Sequence, residues 1–301
     1  MKKLLIKTGI FVLMNAAIGA ALLAYIHYRD LHMKTGYGQS ESVLMAMPEN
    51  EDFGLLVMGS SHGRMFSRHN MHDSLEDITQ LNVCNISKWS AGVIPEQVFL
   101  GYFHSHGNHA ETAIYFIDPF ALYSPDWNEN LYVLNDEPFR YDFAWHVLTS
   151  PFKGDVSYNY VKSKFTDEWN NTGANTLPDI TGKLDSVNSE AIRLQLDAWF
   201  RSGVKQENLD LYFQYFTEII EDLKEAGVSK IIIMIPPSLM GHFDGIDGLT
   251  EKMKVYTSDS MVVFKNYNEW SKDPALYYDH SHLNASGAVK FMKEVLKDLC
   301  K

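Results

Sequence analysis

Apolar residues fall along this chain in three rhythms. The first is an unbroken run over residues 8–26, 19 residues without a charge, long enough to cross a bilayer as a helix. The second is a set of five short apolar blocks at 53–58, 81–86, 113–117, 230–235 and 261–264. They lack the in-out alternation of a half-exposed strand, which fits strands covered on both faces of a parallel sheet. The third is helical: Leu209, Tyr212, Phe213, Phe216, Ile219, Ile220 and Leu223 mark one face of a helix over 208–226, which Gly227 stops. A last helix is expected over 285–299, N-capped by Asn284. Strands alternating with helices predict a doubly wound α/β domain with a five-stranded parallel sheet.

Residues 120–202 interrupt that alternation. This stretch is rich in Trp, Tyr, Phe, Asn and Asp, and only 189–200 has a clear helical pattern. It is expected to be an insertion packed over the sheet edge that carries the active site, because ligands bind beyond the carboxyl ends of the strands in such folds. Its aromatic residues either pack a small core of their own or cap a carbohydrate. The expected organisation is therefore an anchor over 1–28, a membrane-proximal linker over 29–50 with Gly36, Gly38 and Ser40, and an α/β domain over 51–301.

Charge changes this picture in two ways. Lys2, Lys3 and Lys7 precede the long apolar run and should stay cytoplasmic, which places everything after the helix outside. Tyr25 and Tyr28 suit the far interface, and Asn15 either bonds locally or faces a partner helix. A cleaved signal peptide is the alternative, but the run is long for a signal core. The net charge of −12, with no basic block, argues against a nucleic-acid partner. Cys84 and Cys300 form neither a CxxC nor a disulfide framework. Two unpaired thiols are expected, with a disulfide as the alternative.

Two short motifs carry candidate chemistry. The first strand runs into Gly59-Ser60-Ser61-His62-Gly63, a tight turn that presents Ser61 near a helix start. The last strand is followed by Asp279-His280-Ser281-His282, just before the final helix. A histidine can take a serine proton near neutral pH, and an aspartate three residues away can hold its tautomer. Either motif alone commonly caps a turn. Together, after the first and fifth strands of one sheet, they offer Ser61 as nucleophile, His282 as base and Asp279 as its orienter. His62 is a turn residue or a weak substrate contact, and Arg64 a solvated charge or ion-pair partner. His104, His106 and His109, with His280 and His282, offer a metal centre as an alternative, without any recognised ligand spacing. No cofactor is implied.

These motifs resemble those of the SGNH, or GDSL-like, serine hydrolase superfamily. The family's Gly-Asp-Ser block stands here as Gly59-Ser60-Ser61, and its DxxH block as Asp279 to His282. The stretch Asn85-Ile86-Ser87-Lys88-Trp89-Ser90-Ala91-Gly92 offers Gly92 for the family's oxyanion glycine. The resemblance covers residues 53–119 and 205–300. It implies a flavodoxin-like three-layer fold, with the amides of Ser61 and Gly92 as oxyanion donors. Ser60 replaces the family's aspartate, as in membrane-anchored proteins of teichoic acid D-alanylation and polysaccharide O-acetylation. Asp118 stands where the third block has an asparagine, and an ionised carboxylate donates no hydrogen bond. Asp118 is thus left as a weak substrate contact, and a slow esterase or a specialised transferase is expected.

The expected function is a membrane-anchored, extracytoplasmic serine esterase or O-acyltransferase acting on acyl esters of envelope glycans. A membrane-embedded acyltransferase partner follows from the resemblance alone. A catalytically silent scaffold is the first alternative and a metal-dependent hydrolase the second.

Overall fold

The computed structural model describes residues 1–32, 40–45, 47–152, 154–166 and 179–300. Five parallel strands form one sheet: β1 (Asp52–Gly59), β2 (Val83–Asn85), β3 (His109–Phe116), β4 (Lys230–Ile235) and β5 (Val262–Asn266). Their order is β2-β1-β3-β4-β5, the flavodoxin-like arrangement. Its strand order reverses between β1 and β3, and the crevice opens at their carboxyl ends.

In chain order the helices are α1 (Lys2–Leu31), α2 (Ser61–Arg64), α3 (Met71–Thr79), α4 (Val93–Ser105), α5 (Pro125–Asn128), α6 (Tyr141–Thr149), α7 (Gly154–Ser163), α8 (Ser189–Trp199), α9 (Gln206–Glu225), α10 (Asp244–Met253) and α11 (Ala285–Phe291). A π turn, Met292–Leu296, carries α11 on toward Leu299. Asn284 caps α11 by accepting from the Gly287 N–H at 2.9 Å.

The unbroken apolar blocks have the meaning expected of them. Leu56 and Met58 of β1 face a core shared with α4, α9 and α10, while Leu55 and Val57 face one shared with α3 and α11. Both faces of the sheet are buried, giving three layers. β3 begins four residues before the expected block, because His109 and Glu111 are exposed and break the apolar signal. Cys84 and Cys300 are both buried and form no disulfide.

The insertion holds more helix than its sequence suggests. Besides α8, it forms the short α5 and the longer α6 and α7, where no helix was expected. On α6 only Phe143 and Val147 are buried, while Tyr141, Trp145 and Leu148 are exposed, which blurs the helical period. Phe120, Tyr123, Phe139, Phe143 and Tyr160 join the main core, so most of these aromatics pack the protein. Residues 153 and 167–178 of the insertion lie outside the described residues.

The amino-terminal segments depart from a simple anchor and linker. Among the described residues, α1 is the one helix long and apolar enough to cross a membrane, and Asn15 bonds locally to the Phe11 carbonyl at 2.8 Å. The end of α1 is docked on the domain: Asp30 is buried and accepts from the Phe139 N–H at 2.6 Å. Gly36 and Gly38 of the expected linker lie outside the described residues, but Ser40 to Leu44 are buried. Glu137 holds this segment, accepting from the Ser42 hydroxyl at 2.7 Å and the amides of Val43 and Leu44 at 3.0 Å each. Backbone inserted into a core needs such partners.

Glu137 also meets Lys88 Nζ at 2.6 Å, and Lys164 Nζ donates to the Glu137 carbonyl at 2.6 Å. Burial opposes its charge, yet Lys88 holds the Glu137 carboxyl below its ordinary value. Burial pushes the Lys164 ammonium down to about 7. Glu137→Ala leaves Lys88 short of a partner in the core and frees three donors of 42–44. It is expected to cost about 3–5 kcal/mol, seen as a lower urea midpoint at unchanged slope. The depressed pKa makes the Glu137 contribution fully present above the unfolded value, and it is lost as pH falls through the folded one.

Candidate active site

Ser61 is the first residue of α2, immediately after β1 and at the β1/β3 crevice. The turn into it needs Gly59, whose φ is +130° and where a Cβ would lie 2.4 Å from the Phe116 carbonyl oxygen. Glu96 of α4 fixes that turn from behind by accepting the Gly59 N–H at 3.1 Å. Burial pushes the Glu96 carboxyl well above its ordinary value.

The two motifs converge. Ser61 Oγ lies 2.7 Å from His282 Nε2. His282 Nδ1 lies 2.9 Å from Asp279 Oδ2 and 3.0 Å from Oδ1. A proton on Nδ1 donates to that carboxylate and leaves the Nε2 lone pair to accept the Ser61 hydroxyl. Asp279 is fixed by the amides of Ser281 and His282, both at 2.8 Å. Burial opposes the charge on Asp279, but these bonds and the imidazole keep its carboxyl well below the usual range. The insertion braces this loop: Gln195 Nε2 donates to Ser281 Oγ at 3.0 Å, and the Asn188 amide donates to His280 Nε2 at 3.0 Å.

His282 is gripped between two rings. Tyr278 stacks on it with centroids 5.4 Å apart and planes 9° apart, and His62 stacks at 4.5 Å and 20°. His62 is therefore neither a simple turn residue nor an open substrate contact. It is buried, its Nε2 donates to the Ser281 carbonyl at 2.9 Å, and its Nδ1 lies 2.7 Å from Asp118. Acceptors stand near both ring nitrogens, an arrangement that favours the protonated ring. Burial opposes that charge, but Asp118 outweighs it and raises the His62 pKa.

Asp118 is likewise withdrawn from substrate. It is buried, it accepts the Ser60 hydroxyl, and it neutralises His62. Burial first, and then the charge on His62, lower the pKa of His282, with Asp279 pulling the other way. The base stays unprotonated further into acid, and its conjugate acid is a stronger proton donor. His62→Gln removes the neighbouring cation, so the acid limb of kcat/KM should move to higher pH. An unmoved limb would mean that the cation has no hold on His282.

Gly92 is not an oxyanion donor. Its N–H donates to the Trp127 carbonyl at 2.8 Å, and a Cβ there would lie 2.4 Å from Asn128 Oδ1. The glycine is required for close packing against α5, and its amide is spent. The Ser61 amide stands at the start of α2, where intrahelical partners are lacking.

Arg64 is a buried structural cation rather than a solvated one. It donates to the Ser40 carbonyl at 2.5 Å and lies 3.7 Å from Glu41, which also pairs with Arg68 at 2.7 Å. This ties α2 to the 40–44 segment. The histidines are dispersed: His109 is in register with Asp52 at the amino end of β1, the opposite end of the strand from Ser61. Among the described residues no group of three His, Cys, Asp or Glu side chains is disposed to hold a metal ion.

Two cavities of about 10 Å³ each flank His62, each with room for roughly one water-sized group. One is walled by Met65, Phe66, Pro236, Pro237, His282 and Leu283. The other reaches Asp118, Phe120 and Trp199.

No protein-family model matches this sequence, and no curated protein does.

Tyr278, Glu41 and Arg68 are site residues that the sequence did not reveal; Ser60, His62, Asp118 and Arg64 were singled out, but their coupling as Ser60–Asp118–His62 and Glu41–Arg64–Arg68 was not. For Asp118 a signal existed. Gly59 is in register with Phe116, so a residue two past β3 lies level with the residues just past β1.

Proposed function

We propose that the chain is a membrane-anchored serine esterase or O-acyltransferase of the SGNH type, acting on short acyl esters of envelope glycans. The observation that carries this reading is the continuous relay Ser61 Oγ, His282 Nε2, His282 Nδ1 and Asp279, with links of 2.7 and 2.9 Å. In the first half-reaction the Ser61 oxygen attacks the acyl carbonyl while Nε2 takes its proton. The tetrahedral intermediate then collapses, and His282 returns that proton to the departing oxygen. In the second, His282 takes a proton from water or a sugar hydroxyl, that oxygen attacks acyl-Ser61, and the proton passes back to Ser61.

The lowered pKa of His282 suits both transfers. Asp279 holds the tautomer and offsets the charge that forms on the ring. The Ser61 amide serves as one oxyanion donor. The recess at Met65, Phe66 and Leu283, with room for about one water-sized group, argues against a long acyl chain lodged there. Lys2, Lys3 and Lys7, in the first turns of α1, support a cytoplasmic amino terminus with the α/β domain outside. That placement favours an acyl donor delivered at the membrane, by a membrane-embedded acyltransferase in the fullest form of the proposal.

One observation favours a second reading, a catalytically silent scaffold of the same complex. The Gly92 amide is spent on Trp127, and Asp118 is locked against His62 and Ser60, so two of the family's oxyanion positions donate nothing. A serine-directed fluorophosphonate separates the readings. The enzyme should label, and should lose the label both on heating and in Ser61→Ala. No label on the folded wild-type chain, tested with small and large probes, favours the scaffold.

A further inference from the structure

We propose that the exposed face of α6 lies in the headgroup layer of the bilayer that α1 crosses, so that the domain rests on the membrane surface and does not hang from a flexible stalk. The inference depends on α1 being a membrane span. Tyr141, Trp145 and Leu148 recur at i, i+4 and i+7 and are 44%, 67% and 60% exposed, while Phe143 and Val147 on the opposite face are buried. An apolar stripe of this size on one helix needs a cover.

Its place relative to α1 identifies the cover. The charge-free run of α1 ends at Ile26, which marks the end of the hydrocarbon layer for a helix of that length. The ring of the next residue, His27, packs against Tyr141 with centroids 4.7 Å apart and planes tilted by 44°. The first turn of α6 therefore stands at the level where α1 leaves the hydrocarbon. The attachment is firm. Asp30 is buried and accepts the Phe139 N–H at 2.6 Å, which fixes the chain just before α6 to the end of α1. Tyr25 and Tyr28 of α1 are 64% and 65% exposed at the same level. Tyrosine and tryptophan concentrate at this depth because their rings are apolar and their edges polar.

Asp142, the acidic neighbour on α6, does not oppose the contact. Its carboxylate accepts the Tyr102 hydroxyl at 2.7 Å and lies 3.1 Å from His106 Nε2.

The test uses the full chain reconstituted in phosphatidylcholine vesicles, with and without lipids brominated near the headgroup end of the acyl chain. Wild type is compared with Trp145→Phe, a change at an exposed site outside the catalytic residues. Flotation with the vesicles reports α1 separately. The proposal expects both proteins to float, and the fluorescence that Trp145→Phe removes to be quenched by brominated lipid and shielded from aqueous iodide. Quenching by iodide but not by brominated lipid would overturn it in favour of open solvent. Quenching by neither would overturn it in favour of a protein partner or a second copy of the chain. Failure to float would remove the span itself, and this inference with it.

Discussion

Ser61→Ala should lower turnover by about 10⁴–10⁶-fold with an unchanged urea midpoint. The hydroxyl has one hydrogen-bond partner of consequence, His282 Nε2 at 2.7 Å. Its removal takes little from the fold, since Gly59, Glu96 and the Arg64–Glu41 contact still set the turn. What disappears is the atom that would carry the acyl group. Because nucleophile and base act as one unit, adding His282→Ala to Ser61→Ala should cost little more than either alone. Multiplying losses in the double variant would mean that the two residues act in separate steps, and the relay would then be only a geometric neighbourhood.

Asp279→Asn should lower turnover by about 10⁴-fold, the loss known when such an aspartate becomes an amide in a serine protease triad. Asparagine can keep the caps on the Ser281 and His282 amides through its carbonyl oxygen, so the loop should stay folded. If its NH₂ faces Nδ1, it stabilises the tautomer with the proton on Nε2, and Nε2 can then no longer accept from Ser61. The removed negative charge also leaves the forming imidazolium beside His62 without compensation. A fall of less than tenfold would show that Ser281 Oγ, 2.9 Å from Nδ1, orients the ring on its own.

The sheet was legible because each strand is covered on both faces, and an apolar run records that directly. The ends of the strands were less so, since exposed His109 and Glu111 belong to β3 but do not look apolar. Ser61 could be found because it lies at a strand exit that leads into a helix, and Asp279 and His282 because they stand in the loop just before the final helix. Gly92 misled for the opposite reason: the partner that takes its amide is Trp127, in an insertion whose folding against α4 leaves no local mark. The 40–44 segment was similarly opaque. Ser40, Glu41 and Ser42 look like linker residues, and only Arg64, Arg68 and Glu137, distant in sequence, make them core. His62 and Asp118 lie between these cases, inferable from parallel register once the strand order is known.

The spent Gly92 amide and the His62–Asp118 couple also bear on mechanism. Charge on His62 lowers the pKa of His282, which under the proposed function would help its proton return to the departing oxygen. The expectation of a slow site rests instead on the oxyanion side, where the Gly92 amide is spent on Trp127 and Asp118 is held by Ser60 and His62.

The central claim is that Ser61 becomes covalently acylated by way of His282. The most direct measurement is rapid acid quenching after mixing the full chain with an activated acetyl ester, followed by mass analysis of the peptide that contains Ser61. The account predicts one acetyl group on Ser61, reduced in Asp279→Asn and absent from that peptide in Ser61→Ala. Turnover of the ester that continues in Ser61→Ala, or an acetyl group found only on another residue, would contradict it.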